Sequence, residues 1–166
     1  MTKRYIFSMS RRPRKKQLYH FTGSGLPNVY LASGFTVEND PEYGELVTIE
    51  KLPVLFMAIA FRLTTMKDKL SGLEFRFLRK RMELSQPELA KLLQVNEQTV
   101  ANYEKGRTDA GAADTAMRFL FLAYISDDDD VAQELRLEAE DLMKPSRRLA
   151  NSEPPKAGPW VFTNGV

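Results

Sequence analysis

The chain has 166 residues, of which 43% are hydrophobic, and its formal net charge at pH 7 is only +2. That length allows one domain with appendages or two small domains, with enough apolar residues for a packed core. The absence of cysteine excludes disulfides and thiolate zinc sites and suits the cytoplasm. The longest apolar run, residues 52–61, is well short of the ~20 residues that a membrane-spanning helix needs. We therefore expect a soluble cytoplasmic protein.

Basic residues are concentrated at the beginning of the chain. Residues 11–16 have no helical or strand period, and residues 1–35 contain no acidic side chain. We predict a flexible basic arm over residues 1–16. Such an arm could contact DNA phosphates, which adds affinity without sequence selectivity, or could only improve solubility. The sequence leaves both alternatives open.

Residues 17–66 are predicted to form a small antiparallel sheet with a helix. Segments of strand composition lie between turns rich in Gly, Ser, Asn and Pro, at 18–22, 28–31, 35–37 and 46–49. Residues 50–66 carry apolar side chains at helical spacing, and this helix would close the sheet. A helix that binds a partner is the alternative. The single histidine, His20, lies between two aromatic residues and is expected to be structural.

Residues 84–108 contain two short helix signals separated by a tight turn. Ser85 and Glu88 have the spacing of a capping box at the start of the first helix. Asn96 is a suitable N-cap for the second helix, and Gly106 is suitable for ending it. Two apolar side chains of the second helix can face inward, those of Val100 and Tyr103. The outer face then carries Glu97, Gln98, Ala101 and Asn102.

The Ser-Gln-x-Glu-Leu-Ala run at 85–90 is followed at fixed spacing by Val100, Glu104 and Gly106. These residues resemble the helix-turn-helix of phage repressors and Cro-like regulators, the XRE class. The resemblance implies that residues 96–105 form the recognition helix in the major groove, while the preceding helix crosses the DNA backbone. The turn usually has Gly, whereas this chain has Gln94, whose left-handed conformation would cost on the order of 1 kcal/mol.

The predicted DNA contacts follow from this arrangement. Because amide side chains can pair bidentately with adenine edges, Gln98 and Asn102 are expected to read bases, with Glu97 and Thr99 near them. Phosphate contacts are expected from Gln86, Asn96, Lys105, Arg107, Arg79 and Lys80. The two recognition helices of a homodimer would lie about 34 Å apart on a palindromic operator in double-stranded DNA.

Further helices are predicted on both sides of this pair. A second capping box opens a helix over residues 71–82, and helical periodicity recurs at 110–126 and 129–143. Residues 67–143 would thus form a five-helix repressor-like domain, in which 129–143 is the expected dimer contact. The four aspartates at 127–130 are interpreted as a linker and cap rather than a metal site, because acidic residues favour a helix start.

The end of the chain lacks any period. Residues 144–166 are rich in proline and polar residues and are predicted to form a disordered tail. An apolar patch at 159–162, Pro-Trp-Val-Phe, could dock onto a partner or fold back onto its own domain. Both alternatives stay open.

A second set of residues covers more of the chain. It comprises Tyr-His-Phe-Thr-x-Ser-Gly-Leu-x-Asn-Val-Tyr-Leu at 19–31, the helix from residue 50, and Leu-Ser-Gly-x-Glu-Phe-Arg-Phe-Leu-Arg-Lys at 70–80. Together these resemble MqsA-type antitoxins, which join a small N-terminal module to a repressor-like domain. That module usually holds zinc through paired cysteines, which are missing here, so zinc is not expected. The resemblance implies a cognate toxin as a partner.

We therefore predict an α+β protein, with a small N-terminal antiparallel sheet and a helix followed by a five-helix repressor-like helix-turn-helix domain. The predicted function is that of a sequence-specific DNA-binding transcriptional regulator, a repressor or autoregulator. The alternative is an antitoxin-type module that neutralises a partner protein, with DNA binding secondary. No nucleophile with a base, phosphate loop or pair of carboxylates is evident, so we expect neither enzymatic activity nor a cofactor.

Overall fold

The computed structural model describes residues 4–9, 18–127 and 161–163. Its described residues form two compact units, one from the β-strands with the beginning of the first helix, the other from residues 59–127 together with Ser24–Leu26. Strands from the first third of the chain precede the helices, which confirms the α+β class. The boundary expected between residues 66 and 67 stays a prediction.

The described strands form two separate sheets. They are β1 (Tyr5–Ser8), β2 (Tyr19–His20), β3 (Val29–Leu31), β4 (Phe35–Asp40), β5 (Gly44–Ile49) and β6 (Val161–Thr163). One sheet has the order β2-β3-β1-β6, and β4 and β5 form a two-stranded hairpin. The sheet is mixed rather than antiparallel as expected, because β1 pairs in parallel with β3 and antiparallel with β6.

Strand β1 corrects the expectation of a wholly flexible arm over residues 1–16. Its apolar triplet Tyr-Ile-Phe is buried at Tyr5 and Phe7, which pack on the same side of the sheet as Val29 and Leu31 of β3. Burial of these side chains outweighs the basic character of the surrounding sequence. The Arg-Arg-Pro-Arg-Lys-Lys run lies outside the described residues.

Strand β6 likewise corrects the expectation of a disordered tail over residues 144–166. Residues 161–163 fold back and pair with β1, with Phe162 opposite Phe7 in the ladder. The apolar patch at 159–162 was expected either to dock onto a partner or to fold back onto its own domain. The backbone of residues 161–163 folds back. The rest of the predicted tail, and the predicted helix over 129–143, lie outside the described residues.

Five α-helices occur in the described part of the chain, each at a predicted position, and four of them belong to the predicted five-helix domain over residues 67–143. They are α1 (Leu52–Thr65), α2 (Gly72–Arg81), α3 (Gln86–Leu93), α4 (Glu97–Glu104) and α5 (Ala112–Asp127). None of the described helices is long and apolar enough to span a membrane. The core of the helical unit is formed by fully or almost fully buried side chains, among them Phe75, Leu78, Leu89, Val100, Met117 and Phe121.

Arg118 of α5 fixes the link between α1 and α2. Its guanidinium donates to the carbonyl oxygens of Leu63 and Met66, at 2.8 and 2.7 Å, where α1 ends. Asp114 pairs with Arg118 and accepts the backbone N–H of Leu70 at 2.6 Å. These bonds satisfy carbonyl groups that the end of a helix leaves without partners. They hold α5 against the residues that lead into the helix-turn-helix.

Candidate nucleic-acid interface

Helix α3 begins at the predicted capping box. The Ser85 hydroxyl accepts the N–H of Glu88 at 3.3 Å, and the Glu88 carboxylate accepts the N–H of Ser85 at 2.7 Å. The carboxylate also accepts the Ser85 hydroxyl at 2.6 Å. These hydrogen bonds, the one from the hydroxyl above all, hold the pKa of Glu88 below its usual value, since they favour the charged form.

The turn after α3 is strained at the expected residue. Gln94 has φ 54° and ψ 41°, a left-handed conformation in which a side chain with a Cβ is disfavoured. The conformation lets the N–H of Val95 bond to the carbonyl of Ala90 at 3.0 Å, which closes the helix end. The tight turn between α3 and α4 therefore forms without the usual glycine.

Helix α4 is bounded by the predicted cap and the predicted stop. The Asn96 side-chain oxygen accepts the N–H of Thr99 at 2.7 Å and its hydroxyl at 2.8 Å. At the other end Gly106 has φ 65°, and the N–H of Arg107 bonds back to the carbonyl of Asn102 at 2.9 Å. This is the hydrogen-bond pattern of a Schellman motif, for which glycine is the preferred residue.

The two faces of α4 divide as the sequence predicts. Val100 is fully buried, and the Tyr103 ring packs edge-on against Phe75 of α2, with ring centroids 5.7 Å apart. On the outer face the Gln98 side-chain nitrogen donates to the Asn102 side-chain oxygen at 3.2 Å. Gln98 is exposed and Asn102 half-buried. The two amides are therefore hydrogen-bonded to each other on the outer face of α4.

The other two predicted base-reading residues, Glu97 and Thr99, differ in solvent exposure and in hydrogen bonding. Glu97 is exposed at the first position of α4. Thr99 is half-buried, and its hydroxyl donates to the Asn96 cap. Thr99 therefore helps to cap the helix. To donate to a base, its hydroxyl would have to give up its hydrogen bond to Asn96.

Three of the predicted phosphate contacts are side chains that extend into solvent. Lys105 and Arg107 are exposed just beyond α4, and Lys80 is exposed on α2. Asn96 is also exposed, although its oxygen is engaged in capping. All four can reach a ligand without breaking a contact with the core.

Arg79 and Gln86 are placed differently from the phosphate-binding role predicted for them. Arg79 is only 8% exposed, and its guanidinium donates to both carboxylate oxygens of Glu104, at 2.5 and 3.1 Å, and to the carbonyl of Leu84 at 2.6 Å. The Gln86 side-chain nitrogen donates to the same Glu104 carboxylate at 2.8 Å. Because all three guanidinium nitrogens of Arg79 donate inside the domain, this placement argues against a phosphate contact there.

Glu104 therefore links the three helices α2, α3 and α4. It belongs to α4, while Arg79 belongs to α2 and Gln86 to α3. A cleft of about 440 Å³ lies over this group, with Arg76 and Lys105 among the residues that line it. The sequence-based reasoning missed the group, since pairing between residues that are 25 apart leaves no periodic signal.

A second feature missed from the sequence is a close contact at Gly72. A Cβ atom at this position would lie 2.4 Å from the carbonyl oxygen of Glu104 and 2.6 Å from that of Tyr103. The start of α2 therefore lies directly against the backbone at the end of α4. The only sign of this contact in the sequence is the glycine itself, in the Leu-Ser-Gly run at 70–72.

Comparison with known proteins agrees with this geometry. Residues 75–113, from α2 to the start of α5, match the family model for the helix-turn-helix. This segment is similar to XRE-type helix-turn-helix domains, which occur in DNA-binding regulators. Comparisons with curated proteins and with solved structures found no match. The resemblance to MqsA-type antitoxins stays a prediction.

Proposed function

We propose that the protein is a sequence-specific repressor or autoregulator that binds a palindromic operator as a homodimer. The observation that carries the proposal is the outer face of α4, where Gln98 and Asn102 present linked amides to solvent while Val100 anchors the opposite side. An α-helix with such a face fits the major groove of B-DNA.

The two amides are suited to reading adenine. Their mutual hydrogen bond uses one N–H of Gln98 and the oxygen of Asn102, which leaves the Gln98 oxygen and the Asn102 NH₂ group for the groove. Together these offer an acceptor and a donor, which match N6–H₂ and N7 of adenine. Glu97 would accept from the amino group of a neighbouring cytosine.

Phosphate contacts would come from side chains around the two ends of α4. Lys105 and Arg107 follow its last turn, and Asn96 precedes its first. Contacts of this kind set the register of the protein on DNA and add affinity that depends on salt. Lys80 would add a charge from α2.

Self-association is supported by α5. Phe119 is 67% exposed and Tyr124 40% exposed, so this helix presents two large apolar side chains to solvent. Exposed apolar surface is typical of a protein contact, and a second copy would place two α4 helices for two half-sites. Phe119→Ser should lower the molar mass in light scattering and weaken binding to the full operator more than to a half-site.

The experiment that tests the proposal is operator selection from random duplex DNA, followed by affinity measurements with variants. Gln98→Ala or Asn102→Ala should each cost about 1–3 kcal/mol and relax preference at one base position. Arg107→Ala should weaken all sequences alike, and Asn39→Ala, which removes an exposed amide from β4, serves as control. An unchanged base preference in both amide variants would refute the assignment of α4.

A further inference from the structure

The hairpin of β4 and β5 forms a two-stranded ribbon. Neither strand is paired with any other described strand, so no described strand occupies the outer backbone N–H and C=O groups of either edge. A two-stranded hairpin alone is marginally stable in water, and free strand edges readily accept another strand. At its base, the ring of Phe35 packs against Tyr19 with centroids 5.1 Å apart. The rest of the ribbon is largely exposed.

The ribbon combines apolar side chains with a strong negative charge. Val37 lies opposite Val47, and Glu38 lies opposite Leu46, so both faces carry apolar groups. Val37, Leu46 and Tyr43 are 46%, 44% and 73% exposed. Its acidic side chains are Glu38, Asp40, Glu42 and Glu45, and no Lys or Arg occurs between residues 16 and 51.

The acidic side chains are not neutralised by any ion pair within the described part of the chain. Asp40 is used within the turn, where it accepts the N–H groups of Glu42 and Tyr43, each at 2.8 Å. Glu38, Glu42 and Glu45 form no ion pair among the described residues. Their like charges repel one another, and an opposite charge beside them would relieve this repulsion.

We propose that this ribbon binds an extended, cationic segment of a partner protein as an added strand. Main-chain hydrogen bonds to a free edge would supply affinity, and alternating basic and apolar side chains would match the carboxylates and the exposed valine and leucine. A nucleic acid is disfavoured because phosphates would be repelled, and a second copy because its ribbon has the same charge. The proposal does not depend on the proposed DNA binding.

The test uses the full chain and a defined probe, a capped peptide of alternating Lys and Val. Titration followed by backbone amide NMR should shift resonances of residues 35–49, and affinity should fall as salt is raised. A peptide with Glu in place of Lys should not bind. A Lys peptide with Pro in place of Val should also fail, because proline has no N–H and its fixed φ disfavours a paired strand.

Variants of the ribbon give a second readout. Combining Glu38→Gln, Glu42→Gln and Glu45→Gln should lower the affinity for the Lys–Val peptide about tenfold. Glu83→Gln, which changes an exposed acid outside the ribbon, should leave this affinity unchanged. Shifts elsewhere in the chain, equal binding of the Glu peptide, or unchanged affinity of the triple variant would each overturn the proposal. Equal binding of the Pro peptide would overturn strand addition. The peptide comparisons use the unaltered chain, so they decide the matter even if the triple variant misfolds.

Discussion

Replacing Glu104 with Gln is expected to destabilise the helix-turn-helix by about 3–5 kcal/mol, although the two side chains have nearly the same shape. The Glu104 carboxylate and the Arg79 guanidinium are 5% and 10% exposed and are joined by two hydrogen bonds, of 2.5 and 3.1 Å. Gln supplies one oxygen, and its NH₂ group would face a guanidinium N–H. The arginine charge would then be buried without an opposite charge.

A loss of this size is a large part of the about 5–15 kcal/mol by which a domain is usually stable. Urea denaturation of the full chain, followed by helical circular dichroism, would measure it. Glu83→Gln, an exposed acid of the same unit, should change stability by less than about 0.5 kcal/mol. The double variant Arg79→Met with Glu104→Leu should be more stable than Glu104→Gln, since it removes both charges. A cost below about 1 kcal/mol for Glu104→Gln would refute this account of the pair. So would a double variant whose loss of stability equals the sum of the losses from Arg79→Met and Glu104→Leu alone.

Three other outcomes follow from the local geometry. Gln94→Gly should raise stability by about 0.5–1 kcal/mol by relieving the left-handed strain, whereas Gln94→Ala should leave the urea midpoint almost unchanged. Gly72→Ala should lower stability by about 1–3 kcal/mol and weaken operator binding, because the added methyl group would displace the carbonyl of Glu104. An increase in stability, as for an ordinary helical Gly→Ala change, would contradict the close contact. The pKa of Glu88 is lowered mainly by the Ser85 hydroxyl, so its carboxylate stabilises the fold above about pH 4 and loses this effect as the pH falls through the lowered value. The difference in stability between the unaltered chain and Glu88→Gln should therefore shrink below about pH 4, and a difference that is constant with pH would exclude this role.

The helical part of the fold could be predicted because its signals are local. The capping residues Ser71, Ser85 and Asn96 each act on a backbone group within three residues, so the sequence alone shows their partners. The strain at Gln94 could be predicted for the same reason. The bounds of all three helices of the DNA-binding motif agree with these signals to within about two residues.

The sheet could not be predicted in the same way, because its pairing joins distant parts of the chain. β1 pairs with residues about 24 positions later and with β6 near the other end, and no turn residue marks either contact. The triplet at Tyr5–Phe7 is also surrounded by basic residues, which conceal a buried strand within an apparently solvated arm. Which strands pair to form each of the two sheets cannot be inferred from composition.

Charge alone is equally misleading at the site, because a cation near DNA need not contact it. Arg79 is held by Glu104 and should contribute no released counterion, whereas Arg107 is exposed beyond α4. Operator affinity measured against salt separates the two. Arg107→Ala should reduce the slope of log affinity against log salt by about 0.9 per subunit, while the Arg79→Met, Glu104→Leu double variant should keep the slope of the unaltered chain. If both reduced the slope equally, Arg79 would have to leave Glu104 and contact phosphate when DNA binds.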